Sequence, residues 1–352
     1  MRRIVEQYKQ KRAREKFMPH ARRQGRGTTQ KAAIAALVLI LAASAALSLR
    51  GRGSETDAFV AAVRKDRIDA LDLIARASES RRLVFLADVP SAAAPKRLAA
   101  AAVERLAKGS GLDVVGLEID AAEQPWIDRY LSTPQEDASL LMARPRLVHD
   151  AEGVGRDYAE ILRAVRRMND QLGADRRIRV VALDPAGWPP ASGESPSAAA
   201  QRFGQRDAAM ADALRPVLEA GPKSRALIFV GGLHVLKSGS GTVQTGGTRT
   251  VETQWLAGRL SQTYPQDVFT ILVDATPSRI SSTPVAAYRG TAAGPVLRDA
   301  GLPAGTAVLV SDDFNFTREP IRVTDKPGIQ FGFTPQDLTF SAIADGYVFL
   351  GS

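Results

Sequence analysis

From residue 54 onward the chain alternates between two hydrophobic periods. In TDAFVAAVRKDRIDALDLIARA, the apolar residues Phe59, Val60, Val63, Ile68, Leu71 and Leu73 recur at the spacing of one amphipathic helix. RLVFLADVPS then supplies a continuous apolar run, read as a strand over 82–87, and APKRLAAAAVERLAKG reads as a helix stopped by Gly109. The alternation continues with a strand at 113–119, a helical stretch around 121–143, a helix at RDYAEILRAVRRMNDQLG and a strand at 177–183. A Pro/Gly/Ser-rich loop leads to the helix QRDAAMADALRPVLEAG and a strand at 225–231. The Gly/Ser/Thr run SGSGTVQTGGTRT has neither period and reads as a mobile loop or lid beside the strand ends. A helix at 251–263 and a strand at 267–273 follow.

Strands separated by helices of ten or more residues predict parallel pairing, and unbroken apolar strands predict a sheet covered on both faces. The expected fold class is therefore α/β, with a mostly parallel central sheet flanked by helices. From about 275 to 340 the pattern weakens into short segments rich in Pro and Gly, suggesting a looser appendage. AVLVSDD and GYVFLGS read as late strands that either join the sheet or belong to that appendage.

The first fifty residues have another character. Residues 1–31 hold eleven Lys/Arg against Glu6 and Glu15, which is the whole of the chain's +9. Arg50 and Arg52 add two more positive charges, leaving residues 53–352 slightly acidic. A nucleic-acid reader carries its basic footprint on the folded domain, so that partner class is excluded. Residues 32–49, AAIAALVLILAASAALSL, carry no charge and as a helix would span roughly 27 Å, close to a bilayer core. With the basic flank this predicts a single-pass anchor in a bacterial inner membrane, N-terminus cytoplasmic and the main domain periplasmic. A cleaved signal peptide is the alternative, since ASA at 43–45 resembles a processing site. The basic arm is expected to lie against anionic lipid. The absence of cysteine excludes disulfides and thiolate metal sites.

Four predicted strands end on groups with chemistry. Asp88 follows 82–87, Glu118 closes DVVGLEID, Asp184 closes RIRVVALDP, and His234 follows the last strand. If these strands are parallel neighbours, all four side chains share the edge where open α/β sheets bind ligands. Three acids and an imidazole suit acid/base work or a hard or borderline divalent metal. Arg206, at the helix before the 225–231 strand, could anchor a negatively charged substrate group, with Asp184 beside it. Each residue also has a structural reading: Asp88 as a cap and Asp184 before Pro185 as turn chemistry. No G-x-S-x-G elbow or Walker lysine is present, which disfavours a standard serine hydrolase or a P-loop enzyme.

The order of these pieces resembles the superfamily that joins erythromycin-esterase-like hydrolases, ChaN-like haem-uptake proteins and Tiki/TraB proteases. The likeness rests on VVGLEID with Glu118, on RDAAM with Arg206, Asp207 and Met210, on FVGGLH with Gly231 and His234, and on the closing ADGYVFLG. It covers roughly residues 80–350. It departs at the first motif, where the family's Gly-x-x-His is met by ADVP and the histidine is missing. The resemblance implies a domain over 53–352 that binds a small molecule, peptide, metal or haem at the strand ends. It further implies altered or lost catalysis, or else hydrolysis of an ester or amide. In the hydrolytic case His234 would be the general base, Glu118 its partner and Asp88 a second acid. A metal would fall to Asp88, Glu118 and His234.

Overall fold

The computed structural model describes residues 55–89, 92–133, 155–188, 194–245, 248–275, 287–311, 321–324, 329–333 and 339–351. The basic arm and the apolar segment 32–49 lie outside these residues. Among the described residues no helix is long and apolar enough to cross a membrane.

The opening amphipathic stretch is two helices. Helix α1 covers residues 55–66, and α2 (Ala70–Ser80) starts after a two-residue strand, β1 (Ile68–Asp69). The break follows from Asp69, whose carboxylate accepts from the Leu71 and Asp72 N–H groups and caps α2. Apolar spacing runs through this break, which is why periodicity alone joins the two.

Next come β2 (Leu83–Asp88), α3 (Ala93–Lys108), β3 (Val114–Asp120), α4 (Gln124–Ser132), α5 (Gly155–Gln171) and β4 (Arg179–Asp184). They are followed by α6 (Pro196–Glu219), β5 (Ala226–Gly231), β6 (Ser240–Thr245), β7 (Thr248–Gln254), α7 (Leu256–Thr263) and β8 (Val268–Asp274). The chain closes with β9 (Ala287–Thr291), α8 (Ala293–Asp299), β10 (Thr306–Leu309), β11 (Ile321–Thr324), β12 (Ile329–Phe333), α9 (Phe340–Ile343) and β13 (Gly346–Phe349).

The main sheet has eight strands in the order β1-β10-β13-β8-β2-β5-β3-β4. Six of them, β13 to β4, run parallel, while β10 is antiparallel to both of its neighbours. The sheet is thus mixed, with its parallel body where the apolar runs predict it. Every residue of β2 is buried, as is most of β3 and β5. Each large apolar side chain buried there contributes about 1.5–3 kcal/mol. Both late strands, β10 and β13, join the sheet.

The outer edge of β4 is satisfied by side-chain amides instead of another strand. Gln124 donates to the Val180 carbonyl and accepts from the Ala182 N–H, each at 2.8 Å. Asn169 does the same for Ile178 at 2.9 and 2.7 Å. Buried backbone groups need such partners, and the two amides supply them along this edge.

The Gly/Ser/Thr run expected to be a mobile loop is a β-hairpin. Strands β6 and β7 pair antiparallel, and β12 adds a third strand on β6. Glycine and serine weaken the period-2 signal, so this partnership is invisible locally.

Candidate functional site

Strand β2 lies where the strand order reverses. The chain passes from β2 to β3 and β4 on one side, returns through β5, and continues to β8 and β13 on the other side. The carboxyl edge at such a point opens a crevice. The register pairs Asp88 with Gly231 and Asp120 with Asp184 across that edge.

Arg206 of α6 is the hub. Its Nε and Nη2 meet Asp184 Oδ1 and Oδ2 at 2.6 and 2.9 Å, a two-point fork on a fully buried carboxylate. Nη2 also donates to Glu118 Oε1 at 2.5 Å, and Nη1 donates to His234 Nε2 at 3.1 Å. The guanidinium carbon sits 4.2 Å from the centre of the Trp188 ring. Burial alone would lower the guanidinium's pKa, but the charges and hydrogen bonds of Asp184 and Glu118 outweigh it and hold the pKa above its ordinary value.

Glu118 and His234 are fixed from their other sides as well. Glu118 Oε2 accepts from the Gly231 N–H at 2.5 Å, and Asp207 Oδ1 lies 2.7 Å from His234 Nδ1. Burial pushes the imidazole pKa down, Asp207 pushes it up further, and the balance stands above the usual histidine value despite Arg206. Glycine at 231 lets the carboxylate approach: a Cβ there would stand 3.1 Å from Glu118 Oε2 and 3.6 Å from His234 Cδ2. Gly231→Ala is therefore expected to displace Glu118 and lower stability by about 1–3 kcal/mol, read as a shift of the urea midpoint.

Asp88 stands apart from this network. Its Oδ1 takes the Lys96 ammonium at 2.7 Å and its Oδ2 the Tyr158 hydroxyl at 2.9 Å. Lys96 also reaches the Ala92 and Val89 carbonyls at 3.1 and 3.4 Å, so the pair pins the turn after β2. Burial raises the Asp88 pKa, and Lys96 and Tyr158 only partly offset that. Burial together with Asp88 and Glu118 likewise holds the Tyr158 hydroxyl well above its ordinary pKa.

Of the residues expected from sequence, Glu118, Asp184, Arg206 and His234 are brought together, and Asp88 is turned to Lys96 and Tyr158. Arg206 grips the internal carboxylates of Asp184 and Glu118. Four further residues contribute to the site: Asp207, which the RDAAM motif carries, and Trp188, Lys96 and Tyr158, which no motif marks. Asp120 is a fifth, accepting from the Ala122 and Gly187 N–H groups and so tying down the turn that carries Trp188.

The residues do not fit a metal or haem. Both ring nitrogens of His234 are engaged, by Asp207 and Arg206, and Arg206 bridges the imidazole to Glu118. Among the described residues no three His, Asp or Glu side chains form a group that could hold a metal ion.

No protein-family model matches the chain, and no curated protein matches it. Among solved structures, an erythromycin esterase EreC mutant in its open conformation aligns at 13% identity and a TM-score of 0.49, over 79% of this chain and 92% of that one. A succinoglycan biosynthesis protein aligns at 10% identity and 0.45, over 61% and 74%. A Bacillus cereus protein aligns at 10% identity and 0.45, over 84% and 97%. Likeness at this level assigns neither family nor activity, and the chemistry of the edge rests on its own residues.

Proposed function

We propose that this chain is a membrane-anchored, extracytoplasmic ligand-binding domain of the ChaN/erythromycin-esterase type, with catalysis altered or lost. Residues 32–49 serve as the anchor, with the basic arm against anionic lipid on the cytoplasmic side. The ligand is a small molecule or peptide held at the carboxyl edge of the sheet. The observation that carries this reading is the Arg206 N–H directed at His234 Nε2. An imidazole whose Nε2 already accepts a hydrogen bond has no lone pair there for a general-base step.

The charge balance of the edge narrows the ligand class. At this edge the carboxylates Asp88, Glu118, Asp120, Asp184 and Asp207 outnumber the cations Lys96 and Arg206, of which Lys96 pairs with Asp88 and Arg206 with Glu118 and Asp184. An anion would meet net negative charge, whereas a hydroxyl-rich or amine-bearing molecule would meet acceptors. In thermal unfolding of the full-length chain in detergent, neutral polyols or amines are expected to raise Tm. Saturation at one hundred times Kd corresponds to about 2.7 kcal/mol. Stabilisation by anionic compounds alone would overturn the assignment.

One observation favours the hydrolytic alternative. A carboxylate 2.7 Å from Nδ1 is the arrangement that orients a catalytic imidazole, here Asp207 on His234. In that reading the substrate displaces the Arg206 contact and His234 acts as base beside Glu118. Ester or anilide turnover by the wild type that disappears in His234→Gln would select it over binding.

A further inference from the structure

The contacts around His234 determine where its proton sits. Arginine has five N–H donors and no acceptor, so a contact from Arg206 Nη1 requires a bare Nε2. The neutral ring then carries its proton on Nδ1 and donates it to Asp207 Oδ1. The opposite tautomer would set two N–H groups against each other at Nε2 and leave Asp207 facing a lone pair at Nδ1.

The same Asp207 oxygen accepts the backbone N–H of Leu256 at 2.7 Å. Leu256 is the first residue of α7, directly after the hairpin β6–β7, and the Ala257 N–H donates to the His234 carbonyl at 2.9 Å. The hairpin therefore leaves the chain just after His234 and returns to a base closed by His234 and Asp207. The charged groups around the ring are Asp207 and Arg206 from α6 and Glu118 from β3, whose Oε1 is 3.9 Å from Nε2. Trp255, at the head of α7, sets its ring edge-on to the imidazole.

We infer that Asp207 is the positioning residue that holds this edge in its binding state. By taking the Nδ1 proton it keeps Nε2 bare, and the bare Nε2 holds the last of the Arg206 contacts. One carboxylate oxygen thus joins the imidazole tautomer, the seating of the guanidinium and the base of the hairpin. If Asp207 ceased to accept, the ring would be released to protonate Nε2, and Arg206 would lose a partner. A potential base is kept closed by the residue that elsewhere would orient it for catalysis. This deepens the binding reading above and rests on it for its functional meaning.

The test is nitrogen NMR on the full-length chain in detergent, followed through a pH titration to the plateau where the His234 ring is neutral, since its pKa is held above the ordinary histidine value. Three histidines keep assignment tractable. The expected wild-type result is a protonated Nδ1, an unprotonated Nε2 and a protected Arg206 Nη1–H. An Nε2–H tautomer, or averaging between the two, would overturn the inference without any variant being made. Asp207→Asn retains a side-chain oxygen for the Leu256 N–H, and Asp207→Ala removes it. In Asp207→Ala the fixed tautomer should be lost and Arg206 Nη1–H exchange should quicken about tenfold, as for loss of one hydrogen bond to a charged group, whereas in Asp207→Asn the same oxygen still accepts from Nδ1–H and the tautomer should hold. An unchanged tautomer and unchanged protection in Asp207→Ala would equally overturn it. The spectra need no ligand, so a wrong tautomer sinks the clamp alone, and failure of all ligand probes sinks the binding reading alone.

Discussion

Arg206→Ala is expected to cost about 3–5 kcal/mol, the range for removing one partner of a buried ion pair. Asp184 has no solvent exposure and takes two hydrogen bonds from the guanidinium. Removing Arg206 leaves that charge in a low-dielectric site without the guanidinium's two hydrogen bonds. Glu118 loses its Oε1 donor, His234 loses its Nε2 donor and the Trp188 face loses its cation. Arg206→Lys should recover only part of this, because an ammonium cannot reproduce the planar fork on Asp184 or the stacking on Trp188. Urea unfolding of the three proteins checks the order: wild type most stable, then Arg206→Lys, then Arg206→Ala. An alanine variant within about 1 kcal/mol of wild type would mean that the network is not formed in solution. Ligand affinity should fall in both variants, since Glu118 would no longer be held between Gly231 and Arg206.

The reach of the sequence is set by which signals are local. The parallel strands were placed to within about two residues because a run such as LVFLAD is buried on both faces and needs no partner to be recognised. The placement of Glu118, Asp184 and His234 on one edge followed from strand ends and parallel topology alone. The partners of these groups did not follow, although a trace of them is present. Asp207 lies on the buried stripe of α6 with Met210, Leu214 and Val217, and Lys96 lies on that of α3 with Ala99, Val103 and Leu106. A charge on an apolar helical stripe must find a buried counterpart, and that conflict is the sign that could have identified both. Which counterpart it finds depends on packing between elements far apart in the chain. The β6–β7 hairpin is hidden for another reason: its residues carry no period, and its third strand, β12, begins 75 residues after β7 ends.

Lys96 shows how that conflict resolves. Its side chain is 1% exposed, and its ammonium is held by Asp88 and two carbonyls of the turn after β2. Lys96→Met keeps the apolar stem and removes the charge, so the variant isolates the loss of a partner for Asp88. The expected cost at neutral pH is about 3–5 kcal/mol. The cost should also depend on pH. Burial already holds the Asp88 pKa above 3.8, and Lys96 is the main influence lowering it, so the variant raises it further. A carboxyl group whose folded pKa lies above its unfolded value contributes stability that is fully present below the unfolded pKa and is lost as pH rises through the folded one. The deficit of Lys96→Met should therefore be smallest in acid and grow as pH rises through the elevated Asp88 pKa. Urea unfolding of wild type and variant across that range measures it. Adding Asp88→Asn should restore most of the stability and flatten the profile, since the amide still accepts from Tyr158 and carries no charge to bury. A single-variant deficit that stayed constant with pH would mean that Asp88 is not the group left exposed to the loss.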